Sequence, residues 1–103
     1  MPLPPFQNNV QNFVKIHNLE ISIGDRMLDL TSEVGELAKE ILKATNYGRH
    51  HFCPDNAWSD ELGDVFFSLI CLANHTDIDL LKALKNALDK YQARLDGNGD
   101  AGS

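Results

Sequence analysis

A chain of 103 residues suffices for one domain and excludes a second core, because a domain of this size buries only about 60–65 % of its unfolded surface. Fifteen acidic against nine basic side chains give a formal charge of −6, which repels a nucleic-acid backbone and leaves a small polyphosphate bindable only when divalent cations intervene. Cys53 and Cys71 make no disulfide framework, and neither a basic leader nor an apolar run of ~18 residues marks secretion or a membrane span, so the expected compartment is the cytoplasm.

Pro2, Pro4 and Pro5 hold the first residues extended, after which Phe6, Val10, Phe13, Val14 and Ile16 recur at near-helical spacing and predict a short helix ending near His17. Ser22 followed by Asp25 resembles a capping box. Met27, Leu30, Val34, Leu37, Ile41 and Ala44 then trace one stripe of a long second helix that stops near Asn46-Tyr47-Gly48. Arg49 to Asn56 has Pro54, paired histidines and no period, which reads as a loop whose Asp55 or Asn56 caps the next helix. From Ala57 to about His75 the chain is apolar on almost every side, the pattern of a central helix surrounded by protein. Thr76 or Asp77 is expected to cap a fourth helix bearing Ile78, Leu81, Leu84, Leu88, Tyr91 and Leu95. With no alternating strand pattern, the class is all-α: a small, four-helix bundle-like domain over residues 1–96, followed by a Gly-rich, disordered tail at 97–103. An all-apolar helix leaves surface that one protomer can hardly cover, so a homodimer or homotetramer is expected.

Some carboxylates do not fit a plain bundle. On a helical wheel Glu33 and Glu40 lie on the flank of the second helix's apolar face and Glu36 falls further round, so like charges recur where they repel unless something positive intervenes. A solvated flank, paired with Lys39 and Lys43, is the simple explanation for any one of them. Glu61 and Asp64 resist that explanation, because they occupy the helix that is apolar all round and offers no Lys or Arg. A buried carboxylate must protonate, pair with a base or bind a cation, although the positive end of the helix dipole and local solvent could also serve an acid in the first turns. Two pairs at i and i+3 on neighbouring antiparallel helices would place four carboxylates around one volume. That all-oxygen set suits Mg²⁺ or Mn²⁺, and the absence of a Glu-x-x-His pattern disfavours a di-iron bundle.

The stretches Leu-Asp-Leu-Thr-Ser-Glu33-Val-Gly-Glu36-Leu-Ala-Lys-Glu and Asp-Glu61-Leu-Gly-Asp64-Val resemble the two halves of the MazG-type signature, ExxE followed by ExxD, and the resemblance extends from about Met27 to Leu95. It implies an enzyme that hydrolyses nucleoside triphosphates to monophosphate and pyrophosphate in nucleotide-pool house-cleaning. It also implies Mg²⁺, with Mn²⁺ as a substitute, held by Glu33, Glu36, Glu61 and Asp64. Several relatives carry an acid immediately before the first motif glutamate as base for the attacking water, where this chain has Ser32. Glu36 or Glu40 is then left to take the proton, unless metal ligation alone makes hydroxide available. Lys82, Asn86, Lys90 and Arg94 recur every four residues on the last helix, and a similar stripe in relatives contacts the triphosphate; a solvated face is the alternative. Trp58, like Tyr47 and Phe13, could stack on a base, though aromatics at helical spacing more often belong to a core. His50, His51 and Cys53 lack the fourth partner and spacing of a zinc site. Two other functions share these features: a non-catalytic helical oligomer acting as a regulatory partner, and a pyrophosphohydrolase for another pyrophosphate substrate such as a phosphoribosyl intermediate.

Overall fold

In the computed structural model, which describes residues 2–98, four helices follow one another: α1 (Pro5–Ile16), α2 (Ile23–Ala44), α3 (Asn56–His75) and α4 (Leu80–Asn98). No strand occurs among the described residues. Pro5 opens α1, where its missing N–H is no loss. Ser22 Oγ accepts the Asp25 N–H at 3.1 Å to start α2, and Asp55 Oδ1 accepts the Trp58 N–H at 3.1 Å to start α3, both as the sequence suggests. α2 ends where Thr45 Oγ1 donates to the Ile41 carbonyl at 2.7 Å and accepts the Gly48 N–H at 3.1 Å. Asn46, Tyr47 and Gly48 then turn through successive positive φ angles of 48°, 58° and 89°.

The cap of α4 differs from the expected one. Asp79 Oδ1 accepts the N–H groups of Leu81 at 2.9 Å and Lys82 at 3.1 Å, whereas Thr76 Oγ1 donates back to the Leu72 and Ala73 carbonyls and Asp77 takes a left-handed φ of 54°. At its other end α4 continues through Gly97 and Asn98, into the segment read from sequence as a tail; residues 99–103 of that segment lie outside the described residues.

α3 is the hub, with α2 packed along one side and α1 along another. Ser68, Ile70, Cys71 and Ala73 of α3 are buried, Phe6 of α1 stacks on Phe66 at 5.6 Å, and Phe13 meets Phe67 edge-on. A fully buried Gln7 staples three elements together. Its amide Nε2 donates to Asn74 Oδ1 at 3.1 Å and to the Ile78 carbonyl at 2.7 Å, while its Oε1 accepts the Leu80 N–H at 2.8 Å. Asn74 Nδ2 in turn donates to the Gln7 carbonyl at 3.0 Å.

The expected bundle closes only in part within one protomer. α1, α2 and α3 form the packed body, and α4, which contributes no buried residue among those described, meets it chiefly through its first turns beside Phe6, Phe66 and Leu69. Leu81, Leu84 and Leu88 are 56–58 % exposed, and Leu62, Phe66 and Leu69 leave a third side of α3 open. The radius of gyration, 16.8 Å, exceeds the about 13 Å of a compact chain of this length.

Candidate metal centre

α2 and α3 run antiparallel and face each other in a ladder: Asp29 meets Ser68 through a hydrogen bond, Glu33 meets Asp64 and Glu61, and Arg26 and Glu36 stand one step beyond at the levels of Cys71 and Glu61, close enough for their charges to act on those groups. Spacings of three and four residues keep each set on one helix flank, so the two acid pairs of the sequence occupy adjacent rungs. Glu33 and Glu40 are half-buried, Glu36 is exposed, and across the ladder Glu61 is half-buried and Asp64 exposed.

Glu33, Glu61 and Asp64 each present a carboxylate oxygen such that all three oxygens lie within 4.8 Å of one another. Glu61 Oε2 is buried and has no hydrogen-bond partner among the described residues. Partial burial, then the Asp64 carboxylate, pushes the pKa of Glu33 above the ordinary 4.5, with Asp29, Glu61 and Glu36 adding to the effect. Glu61 is raised in the same way, first by partial burial, then by Asp64, Glu36, Glu40 and Asp60. The ion pairs Arg26–Asp29 and Lys85–Asp89 engage other carboxylates.

Three convergent carboxylates with one orphaned buried oxygen fit a hard divalent cation, whose charge would turn mutual repulsion into shared attraction. Oxygen-only donors suit a hard divalent cation, and among the described residues His50, His51 and Cys53 form no group of this kind. Of the four ligands that the resemblance implies, Glu33, Glu61 and Asp64 converge. Glu36 is near enough to raise both Glu33 and Glu61 yet stands outside the trio, and Glu40 neighbours Glu61.

Trp58 lies one turn before Glu61, half-buried, its ring edge-on to Phe52 at 4.9 Å. Tyr47 is exposed beyond the end of α2, and Phe13 packs between His17 and Phe67. The stripe of Lys82, Asn86, Lys90 and Arg94 lies on α4, which packs closely along none of the other helices. Lys90 and Arg94 lie over the Tyr91 ring at 5.2 and 5.9 Å.

The sequence reading missed Arg26, Asp29 and Ser68. Asp29 Oδ2 accepts from Ser68 Oγ at 2.9 Å and from Arg26 Nη1 at 3.3 Å. Their signal was positional: Asp29 stands four residues before Glu33, and Ser68 four after Asp64, on the flanks already singled out.

Comparison with known proteins covers both acid pairs. The uncharacterized protein YpjD of Bacillus subtilis (strain 168) is 38% identical over 76 residues, an alignment that covers 66% of this chain and 62% of that protein. The chain therefore matches less than two thirds of that relative's length. No solved structure matches. The family described as the MazG nucleotide pyrophosphohydrolase domain matches residues 22–97, from the cap of α2 to the end of α4. Because that match takes in most of the chain and the whole α2–α3 ladder, the chain belongs to the MazG nucleotide pyrophosphohydrolase domain family.

Proposed function

We propose that this chain hydrolyses nucleoside or deoxynucleoside triphosphates to the monophosphate and pyrophosphate in a magnesium-dependent reaction, removing unwanted nucleotides from the cytoplasmic pool. The observation that carries this reading is the trio of Glu33, Glu61 and Asp64, with one buried oxygen left unsatisfied, within a family of nucleotide pyrophosphohydrolases. These three residues would hold Mg²⁺, with Mn²⁺ as a substitute. When bound, the ion supplies positive charge that draws the polyphosphate to an acidic face and offsets the charge developing on it.

The chain's own groups do the rest. Glu36, exposed beside Glu33 and Glu61, accepts a proton from the attacking water, the task that Ser32 cannot take over. The water oxygen bonds to the α-phosphorus, the bond from that phosphorus to the α–β bridging oxygen breaks, and pyrophosphate leaves with the electron pair. Glu40 adds negative charge behind Glu61 and keeps that carboxylate dependent on a cation. Trp58, one turn from Glu61, offers a ring for the base to stack on.

The domain, residues 1–96, works as a homodimer or homotetramer. Exposed leucines along α4 and the open side of α3 supply the apolar surface, and α4 of one protomer brings Lys82, Asn86, Lys90 and Arg94 toward the acids of another. The test is a panel of nucleoside triphosphates incubated with Mg²⁺, with monophosphate and pyrophosphate resolved by chromatography. Stoichiometric release of both supports the reading. Orthophosphate as the product, or nucleotide binding without turnover, would overturn it, the latter in favour of a regulatory partner.

A further inference from the structure

The acid trio depends on a spacing between two helices that no ligand residue sets. Directly beside the Glu33–Asp64 rung lies the Asp29–Ser68 rung, where a side chain only 1% exposed donates from Oγ to Asp29 Oδ2 at 2.9 Å. Each partner is one helical turn from a trio member, so this hydrogen bond and the trio share one flank of α2 and one flank of α3. Asp29 is itself held by Arg26, which is 7% exposed, donates from Nη2 to the Leu19 carbonyl at 3.0 Å and lies over the Phe67 ring at 5.7 Å. Asp29 is thus paired by a fixed cation and adds direction at this rung without becoming a further uncompensated acid.

We propose that Ser68 and Asp29 are positioning residues of the metal site: their hydrogen bond fixes the axial register of α2 on α3 and so the convergence of Glu33 with Glu61 and Asp64. The inference rests on the trio being a cation site. Apolar contact along the rest of the α2–α3 interface is non-directional and resists sliding weakly. A slip of one helical turn, about 5.4 Å, exceeds the 4.8 Å within which the three oxygens gather. Repulsion among the acids favours such a slip, or a splaying of the helices, until a cation arrives. A directional bond one turn away opposes it.

The experiment measures Mn²⁺ binding without nucleotide, from the paramagnetic resonance signal of free Mn²⁺, at a temperature well below the melting point of each variant. Ser68→Ala keeps the Arg26–Asp29 pair and should raise the Mn²⁺ Kd by about tenfold, in the range found for residues that orient metal ligands. Asp29→Asn keeps an acceptor for Ser68 and should stay within about threefold of wild type by the same scale. Should Ser68→Ala fail to fold, Ser68→Cys replaces it; its weaker donor should give a smaller loss in the same direction. A folded Ser68→Ala with wild-type Mn²⁺ affinity, even if it melts lower, would make the rung merely structural and overturn the inference. So would an equal loss in Asp29→Asn, which would place the effect in the charge. Glu61→Gln is the control that separates the two levels of the argument: loss of binding there with none in Ser68→Ala overturns the positioning role alone, whereas wild-type binding in Glu61→Gln removes the cation site and this inference with it.

Discussion

Partial burial and the neighbouring Asp64 raise the pKa of both Glu61 and Glu33, so ionising either one is harder in the folded chain than in the unfolded chain. For a group whose folded pKa is raised, the linked stability is full below the unfolded value, here near 4.5, and is lost as pH rises through the raised value. Glu61→Gln keeps the shape and removes the titration. In chelator it should therefore melt above wild type at about pH 8 and level with it near pH 4, while saturating Mg²⁺ should reverse the order at the higher pH. Thermal melts at the two pH values, with and without Mg²⁺, read this directly; a variant that melts below wild type in chelator at pH 8 would show that Glu61 is already compensated. Turnover of the same variant should fall by at least ~100-fold, the scale of losing one strong electrostatic element. Glu36→Gln separates two roles. As proton acceptor outside the trio, Glu36 should lose most of kcat when replaced yet leave Mn²⁺ affinity within a few-fold of wild type, and Glu40→Gln should change kcat less. A large loss of Mn²⁺ affinity in Glu36→Gln would make it a fourth ligand instead.

Helix faces were legible only in part: Glu33 and Glu40 are half-buried and Glu36 beyond them is exposed, as the wheel requires, yet Met27, Val34 and Ile41 of the expected α2 stripe are 40–50 % exposed, and the helix turns its Arg26, Asp29 and Glu33 flank to α3. Axial register was not legible. Periodicity tells which side of a helix meets its neighbour and nothing about how far one helix slides along the other, so the Asp29–Ser68 rung emerged only in the structure. The start of α4 was missed for a related reason. Thr76, Asp77 and Asp79 are all good cap residues by type, and the choice is tertiary, since Gln7 Oε1 from α1 takes the Leu80 N–H and fixes where the helix begins. Beyond that staple the leucines of α4 stay uncovered, which makes the helix the element on which assembly should depend. Leu88→Glu places a charge in the exposed stripe, so the oligomer should not tolerate it and the protomers it releases should be markedly less stable. Light scattering on the purified variant should give the monomer mass, and circular dichroism a melting temperature well below wild type; an unchanged oligomer would move the interface elsewhere.

At the scale of the whole molecule, the surface is larger than that of a compact fold of the same mass. The chain exposes 7467 Å², against about 5,800 Å² for a compact monomer of this mass. The excess is about twice the roughly 800 Å² that each partner of a standard subunit interface loses to contact. Its apolar residues are present in normal number, yet Ile70, Cys71 and Ala73 are the hydrophobic ones buried outright among those described, so part of the burial that opposes chain entropy is left to be made outside one protomer. If association supplies it, folding and assembly are one equilibrium, and stability must depend on protomer concentration by mass action. The melting temperature should therefore rise over a dilution series spanning about 1 to 100 µM, and the unfolding and dissociation transitions should coincide. Mg²⁺ should lift the whole series without removing its slope, because relief of repulsion at the trio and burial between protomers act at different places. A melting temperature independent of concentration, in a sample that scatters as a monomer, would mean that the isolated protomer finds enough burial alone, and the exposed leucines of α4 would then have no role in holding the fold together.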